Sequence, residues 1–231
     1  MGELSNIKFT TPEYDEIIPS TGETVKVKPF KVGDEKTLMI AAESKDQKQI
    51  INALRNVVNK CIVEDVNLAY FDYEYLFLKL RAKSVGEVST IMATCDNTEC
   101  GHKNKIDLDL ESVKISEVED INPLIQLTDD VAIKMKHMPI DEAGKIDGSK
   151  DFITALSKSI AQVINGDEVV NIDKSNEAEL IKTVSDWPST ITSKIRPWFD
   201  NVPRAYCDVE FTCTKCGTLN SRKLEGLENF F

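Results

Sequence analysis

Two cysteine pairs far apart in the chain constrain its fold more than any other feature: Cys95 with Cys100 in a C-x4-C spacing, and Cys213 with Cys216 in a C-x2-C spacing. Each pair sits between two segments with period-two alternation, 88–94 and 105–110 around the first, 205–212 and 220–225 around the second, so each reads as a knuckle joining two strands. Spacings of two to four residues let both sulfurs of a pair turn inward on a tight knuckle. Four thiolates at about 2.3 Å complete the tetrahedral shell that a structural zinc ion takes. The two knuckles also share the pattern C-G-x2-N-x3-L, which is Cys100, Gly101, Asn104 and Leu108 in one and Cys216, Gly217, Asn220 and Leu224 in the other. A glycine after the second cysteine supplies the positive φ of a tight knuckle turn. The expected site is therefore a structural Zn2+ held by Cys95, Cys100, Cys213 and Cys216 in zinc-ribbon-like paired β-hairpins. A compact ribbon usually has about 15 to 20 residues between its pairs. Here the intervening chain is far longer, so it must form an insertion.

Other readings of the cysteines are weaker. A thiol-exchange pair usually opens a helix whose dipole lowers the thiolate pKa, whereas Cys213-Thr214-Lys215-Cys216 lies between strands. A catalytic zinc keeps an open position and usually recruits histidine or carboxylate. His102 lies two residues after Cys100, but four cysteines already fill the shell. Cys61 falls on the apolar stripe of a helix, and Cys207 alternates with Val209 and Phe211; both read as small core residues. His137 has no acid or nucleophile near it in sequence and reads as a surface or satisfied histidine. Asp129-Asp130 reads as a turn. No phosphate loop, nucleophile elbow or metalloprotease signature is present, so no catalytic residues are expected and the chain is not read as an enzyme.

Charge bears on partners. The 231 residues carry 39 acidic and 28 basic side chains, a formal net charge of −11, which repels phosphate backbones and argues against nucleic acid. No run approaches the roughly 18 apolar residues of a membrane span, and the polar N-terminus lacks the apolar segment of a signal peptide. Gly2 begins only half of a myristoylation signal, which we read as chance. A soluble chain made in a reducing cytoplasm is expected.

Along the chain, a β-hairpin is expected within 7–30, turning at Ser20-Thr21-Gly22 with Val25 and Val27 on one face. A helix follows over 34–43. A second, with Asp46 and Gln49 as a capping box, carries Ile50, Ile51, Leu54, Val57, Val58, Cys61 and Ile62 on one stripe. A third helix is expected to use Asp72 as its N-cap and to stop at Gly86. Residues 111–148 read as mixed. Further helices are expected over 149–164 with Gly166 as stop, after a capping box of Asn176 and Glu179, and around Ile191, Ile195 and Trp198, the last kinked or ended early by Pro197. The fold class is α+β. Its domains are 1–86 (hairpin and helices), 87–111 with 204–231 (zinc-ribbon-like), and 112–203 (mixed, then helical insertion).

The segments 24–30 and 35–46, the pattern FDxEYLF-x2-LR-x2-SVG over 71–86 and the later cysteine knuckle resemble the baseplate hub assembly family of T-even-like contractile-tailed bacteriophages. The likeness covers much of the first 110 residues, is thin in the middle and moderate at the C-terminus. It implies a structural or assembly role in a tail baseplate hub, with other hub or tail proteins as partners. The implied location is the host cytoplasm during assembly and the virion tail baseplate. The competing reading is a cytosolic zinc-ribbon module binding nucleic acid or a transcription complex. A hydrolase working in the cleft beside the insertion has no motif behind it. The terminal Phe230-Phe231 could anchor in a partner or fold back onto the core.

Overall fold

The computed structural model describes residues 9–116, 122–143 and 152–227, and its fold is α+β. Strands β1 (Tyr14–Ile17) and β2 (Thr24–Val27) form the expected hairpin, with Val25 and Val27 buried. Helices α1 (Val32–Ser44), α2 (Gln47–Cys61) and α3 (Tyr70–Ser84) follow. In α2 the apolar stripe is realised: Leu54, Val57, Val58 and Cys61 are buried, and the Asp46 carboxylate accepts the backbone N–H groups of Lys48 and Gln49.

Helix α3 starts earlier than its sequence suggests. Its N-cap is Ala69, and Asp72 occupies the third helical position, from which its carboxylate accepts the Ala69 N–H at 2.7 Å. The same carboxylate accepts the Ser20 N–H at 2.8 Å and the Ser20 hydroxyl at 2.6 Å, tying the hairpin turn to the helix start. Aspartate suits both the cap and the first turn, so its presence alone leaves the start three residues uncertain. Because α3 is buried nearly all round, it serves two cores. Tyr73, Leu76, Phe77 and Leu80 join Val25, Val27, Leu54 and Val57, while Leu78 and Ala82 join Leu108, Leu110, Ala205 and Val209.

The paired hairpins form as expected. Strand β3 (Val88–Thr94) pairs antiparallel with β4 (Lys103–Asp109), from Val88↔Asp109 to Thr94↔Lys103. A short β5 (Lys114–Ile115) then leads away. At the other end of the chain β10 (Ala205–Thr212) pairs with β11 (Leu219–Glu225) and, at its start, with β5. The C-terminal Phe230-Phe231 lies outside the described residues.

The insertion is less helical than expected. After β6 (Leu124–Gln126), β7 (Val131–Met135), α4 (Ile140–Ala143) and α5 (Phe152–Lys158), the segment read as one helix over 149–164 turns into strand β8 (Ile160–Asn165), followed by β9 (Glu168–Asn171). These strands make a four-stranded antiparallel sheet in the order β6-β7-β8-β9. Gly166 is not a helix stop. With Asp167 it forms the two-residue loop between Asn165 and Glu168, as a tight hairpin requires. The side chains of Phe152, Leu156, Ile160 and Val163 fit helical spacing, but pairing of Val163 with Ile133 and of Ile160 with Met135 decides the outcome.

Helix α6 (Glu177–Ser185) buries Leu180 and Val184 as expected, but Asn176 does not cap it through its side chain. That side chain instead accepts the Asp173 N–H and donates to the Asn171 carbonyl. Helix α7 (Thr192–Asp200) does not end at Pro197 but continues three residues beyond it. Burial of Ile195 and Trp198 against Leu127, Ile133, Leu156 and Leu180 offsets the lost backbone hydrogen bond. Among the described residues no helix is long and apolar enough to cross a membrane.

Candidate metal centre

The ends of two hairpins meet tip to tip at the four cysteines. Strands β3 and β4 place Cys95 and Cys100 on one knuckle, and β10 and β11 place Cys213 and Cys216 on the other. All four sulfurs lie within 4.8 Å of one another. Two of the separations run between knuckles, 3.6 Å from Cys95 Sγ to Cys216 Sγ and 3.8 Å from Cys100 Sγ to Cys213 Sγ. A tetrahedron of thiolates with metal–sulfur bonds of about 2.3 Å has edges of roughly 3.8 Å. The group therefore matches the size of a single-ion shell. A multi-iron cluster holds its thiolates further apart, because they are divided among more than one iron.

Backbone geometry explains how the sequence makes this group. In both hairpins the first cysteine donates its N–H to the carbonyl two residues beyond the second cysteine: Cys95 to His102 and Cys213 to Thr218, each at 2.8 Å. Gly101 and Gly217 take φ of +55° and +74°, the left-handed conformation that turns each chain out of its knuckle. The repeated asparagines are buried, at 2% and 1% exposure for Asn104 and Asn220. Their side-chain oxygens cross to the opposite knuckle. Asn104 accepts the Thr214 N–H at 2.9 Å, and Asn220 accepts the Asp96 N–H at 2.7 Å. At the rim the Arg222 guanidinium donates to the Asp96 carboxylate and to the Thr94 carbonyl, a second tie between hairpins.

The electrostatics of the two pairs differ. Burial pushes the Cys95 thiol up to about 11. Burial acts on Cys213 as well, but the backbone N–H groups of Cys216 and Lys215 and the Asn104 amide outweigh it and bring that thiol down to about 6. Contact with the Thr218 hydroxyl lowers Cys216. Anionic sulfur is thus favoured on the second knuckle, which suits cation capture. Each knuckle contributes one buried sulfur, Cys95 and Cys213, and one more open to solvent, Cys100 half-buried and Cys216 exposed.

The structure brings together all four cysteines singled out from their spacing, while Cys61 and Cys207 are buried elsewhere, in the first and second cores. The histidine beside the site, His102, contributes its carbonyl to the knuckle, and the metal-capable group consists of the cysteines alone among the described residues. The other histidine, His137, is neither a surface nor a satisfied residue. Its ring packs between Phe71, edge-on at 5.0 Å, and Trp198, stacked at 5.1 Å, and its buried Nδ1 has no hydrogen-bond partner among the described residues. The sequence reading missed the cross-knuckle role of Asn104 and Asn220, although the repeat that contains them was visible.

A family model described as T4 bacteriophage base plate protein matches residues 11–231. No curated protein and no solved structure matches the chain.

Proposed function

Since this chain belongs to the T4 bacteriophage base plate protein family, we propose that it is a non-catalytic structural or assembly protein of the tail baseplate hub, acting through contacts with other baseplate proteins. The single observation that carries this reading is the family match, which runs through nearly the whole chain. Nothing in that match supports the nucleic-acid alternative, which the net charge of −11 also disfavours.

The four-cysteine group serves this role as a staple. We assign it to structural Zn2+, bound by Cys95, Cys100, Cys213 and Cys216, because the sulfur separations fit one tetrahedral ion and no open position or carboxylate ligand accompanies them among the described residues. Such an ion joins the two ends of a long insertion to one point. We propose three units, 1–86, 87–111 with 204–231, and 112–203; three buried clusters are centred on them, although Leu78 and Ala82 of the first and Val113 of the third pack into the second cluster and Ile140 of the third into the first.

Tagged protein expressed during infection by its phage tests the assignment. The expected result is co-purification of identified tail baseplate proteins, and capture of none of them overturns it. Mass spectrometry of purified particles then separates a resident component from an assembly factor. For the metal, elemental analysis should give about one zinc per chain, lost in Cys213→Ser together with stability. Folded wild-type protein without metal removes the zinc assignment.

A further inference from the structure

The two asparagines of the repeated pattern make matching contacts that need no ion. Each carbonyl oxygen accepts the N–H of the residue that follows the first cysteine of the opposite pair, Asp96 after Cys95 and Thr214 after Cys213. Thr214 adds its hydroxyl to Asn104 Oδ1 at 3.0 Å. The amide groups, in contrast, are used unequally. Asn220 Nδ2 donates to the Thr218 and Phe211 carbonyls, at 2.8 and 3.4 Å. Asn104 Nδ2 donates to the His102 carbonyl at 3.3 Å and to Cys213 Sγ at 3.5 Å.

We propose that Asn104 and Asn220 are positioning residues that clamp the two knuckles together ahead of metal uptake, and that Asn104 additionally donates to a metal-binding sulfur. The inference rests on the four-cysteine metal reading above. Its physical basis is the cost of assembling a site from hairpins so distant in sequence. Bringing them together orders a long loop, and an ion that had to do this alone would bind correspondingly less tightly. Two buried amide-to-backbone hydrogen bonds, reciprocal across the junction, hold the geometry instead. A hydrogen bond to thiolate sulfur withdraws charge from it and orients its lone pairs, so it tunes the ligand as well as placing it.

Two measurements test this, one of them on the unaltered chain. In chelator-treated wild-type protein, hydrogen exchange at the Asp96 and Thr214 amides should remain protected. Exchange at the unprotected rate overturns the clamp. Asn104→Asp keeps the acceptor for Thr214 but removes the donor to Cys213, and should weaken zinc about tenfold or more in competition with a chromophoric chelator. With Co2+ as the probe, its thiolate-to-metal charge-transfer band should shift in Asn104→Asp and stay in place in Asn220→Asp, whose amide touches no sulfur. An Asn104→Asp protein with wild-type zinc affinity and an unmoved band overturns the sulfur contact. A wild-type chain that binds neither ion while Asp96 and Thr214 stay protected overturns the metal reading itself, leaving the clamp intact.

Discussion

The buried ammonium of Lys79 lies 2.6 Å from the backbone carbonyl oxygen of Glu111 and 3.4 Å from its carboxylate. Lys83, one turn further along α3, pairs with the other carboxylate oxygen. Glu111 lies two residues past the end of β4, so these contacts fasten the central helix to the end of the hairpin that carries Cys95 and Cys100. The site's first knuckle is thereby built on the most buried element of the fold.

Replacing that carboxylate should therefore weaken the whole molecule. Burial pushes the Glu111 carboxyl up, but Lys83 and Lys79 outweigh it and hold the group below its usual value. A depressed folded pKa contributes stability that is present above the unfolded value and is lost as pH falls through the folded one. Glu111→Gln should cost about 1–3 kcal/mol at neutral pH, since two lysines lose their counter-charge. Urea denaturation from pH 7 to pH 3 should show the difference between wild type and variant shrinking on acidification.

His137 should give a titration of a different kind. Burial holds its imidazole below the ordinary histidine value, against the pull of the nearby Asp72 carboxylate. The unfolded chain then binds a proton that the folded chain refuses. Stability is complete above pH 6.5 or so and declines as pH falls toward the lower folded value. His137→Leu, which keeps an apolar side chain between Phe71 and Trp198, should flatten the dependence of the denaturation midpoint on pH between about 7 and 5. An unchanged slope would show that the ring protonates freely where it sits.

Legibility of the fold followed the range of the interactions that decide it. The stripe in α2 and the alternation around each cysteine pair are local periods, and both were readable. The knuckle glycines were also readable, because a turn with positive φ leaves a mark at one position. Strand β8 was not, since Ile160 and Val163 fit helical spacing and only pairing with Met135 and Ile133, distant in sequence, makes them a strand. The same holds for the candidate site. Its four cysteines were visible from spacing, but the asparagine contacts cross between hairpins and leave only an unexplained repeat. The packing of His137 between the Phe71 and Trp198 rings had no sequence signal at all.

The knuckle glycines allow a test of conformational cost in isolation. A Cβ added at Gly101 or Gly217 would meet no atom within 4 Å, so Ala introduces no clash. What remains is the left-handed backbone, which costs an L-residue about 1 kcal/mol. Gly101→Ala and Gly217→Ala should each lower stability by that amount in denaturant titrations, with asparagine at either position recovering part of it. A much larger loss would mean that the knuckle tolerates no adjustment around its sulfurs.

The grouping of buried side chains leads to the last prediction. Leu76 and Leu78 lie in different cores yet on one helix, so Leu76→Ala and Leu78→Ala should destabilise the same unfolding unit, by about 2–5 kcal/mol each. Ile195, fully buried in the insertion, touches neither of those cores. Beyond β5 the insertion meets them, among the described residues, through Ile140, which is buried in the first core, through the His137 ring and through a bridge between Ala69 and Pro139. Ile195 belongs to a core that shares no side chain with the other two, so Ile195→Ala should lower chiefly one of two calorimetric transitions and move the cysteine-bearing unit much less. A single transition moved equally by all three variants would show instead that the insertion and the hairpins fold as one cooperative body.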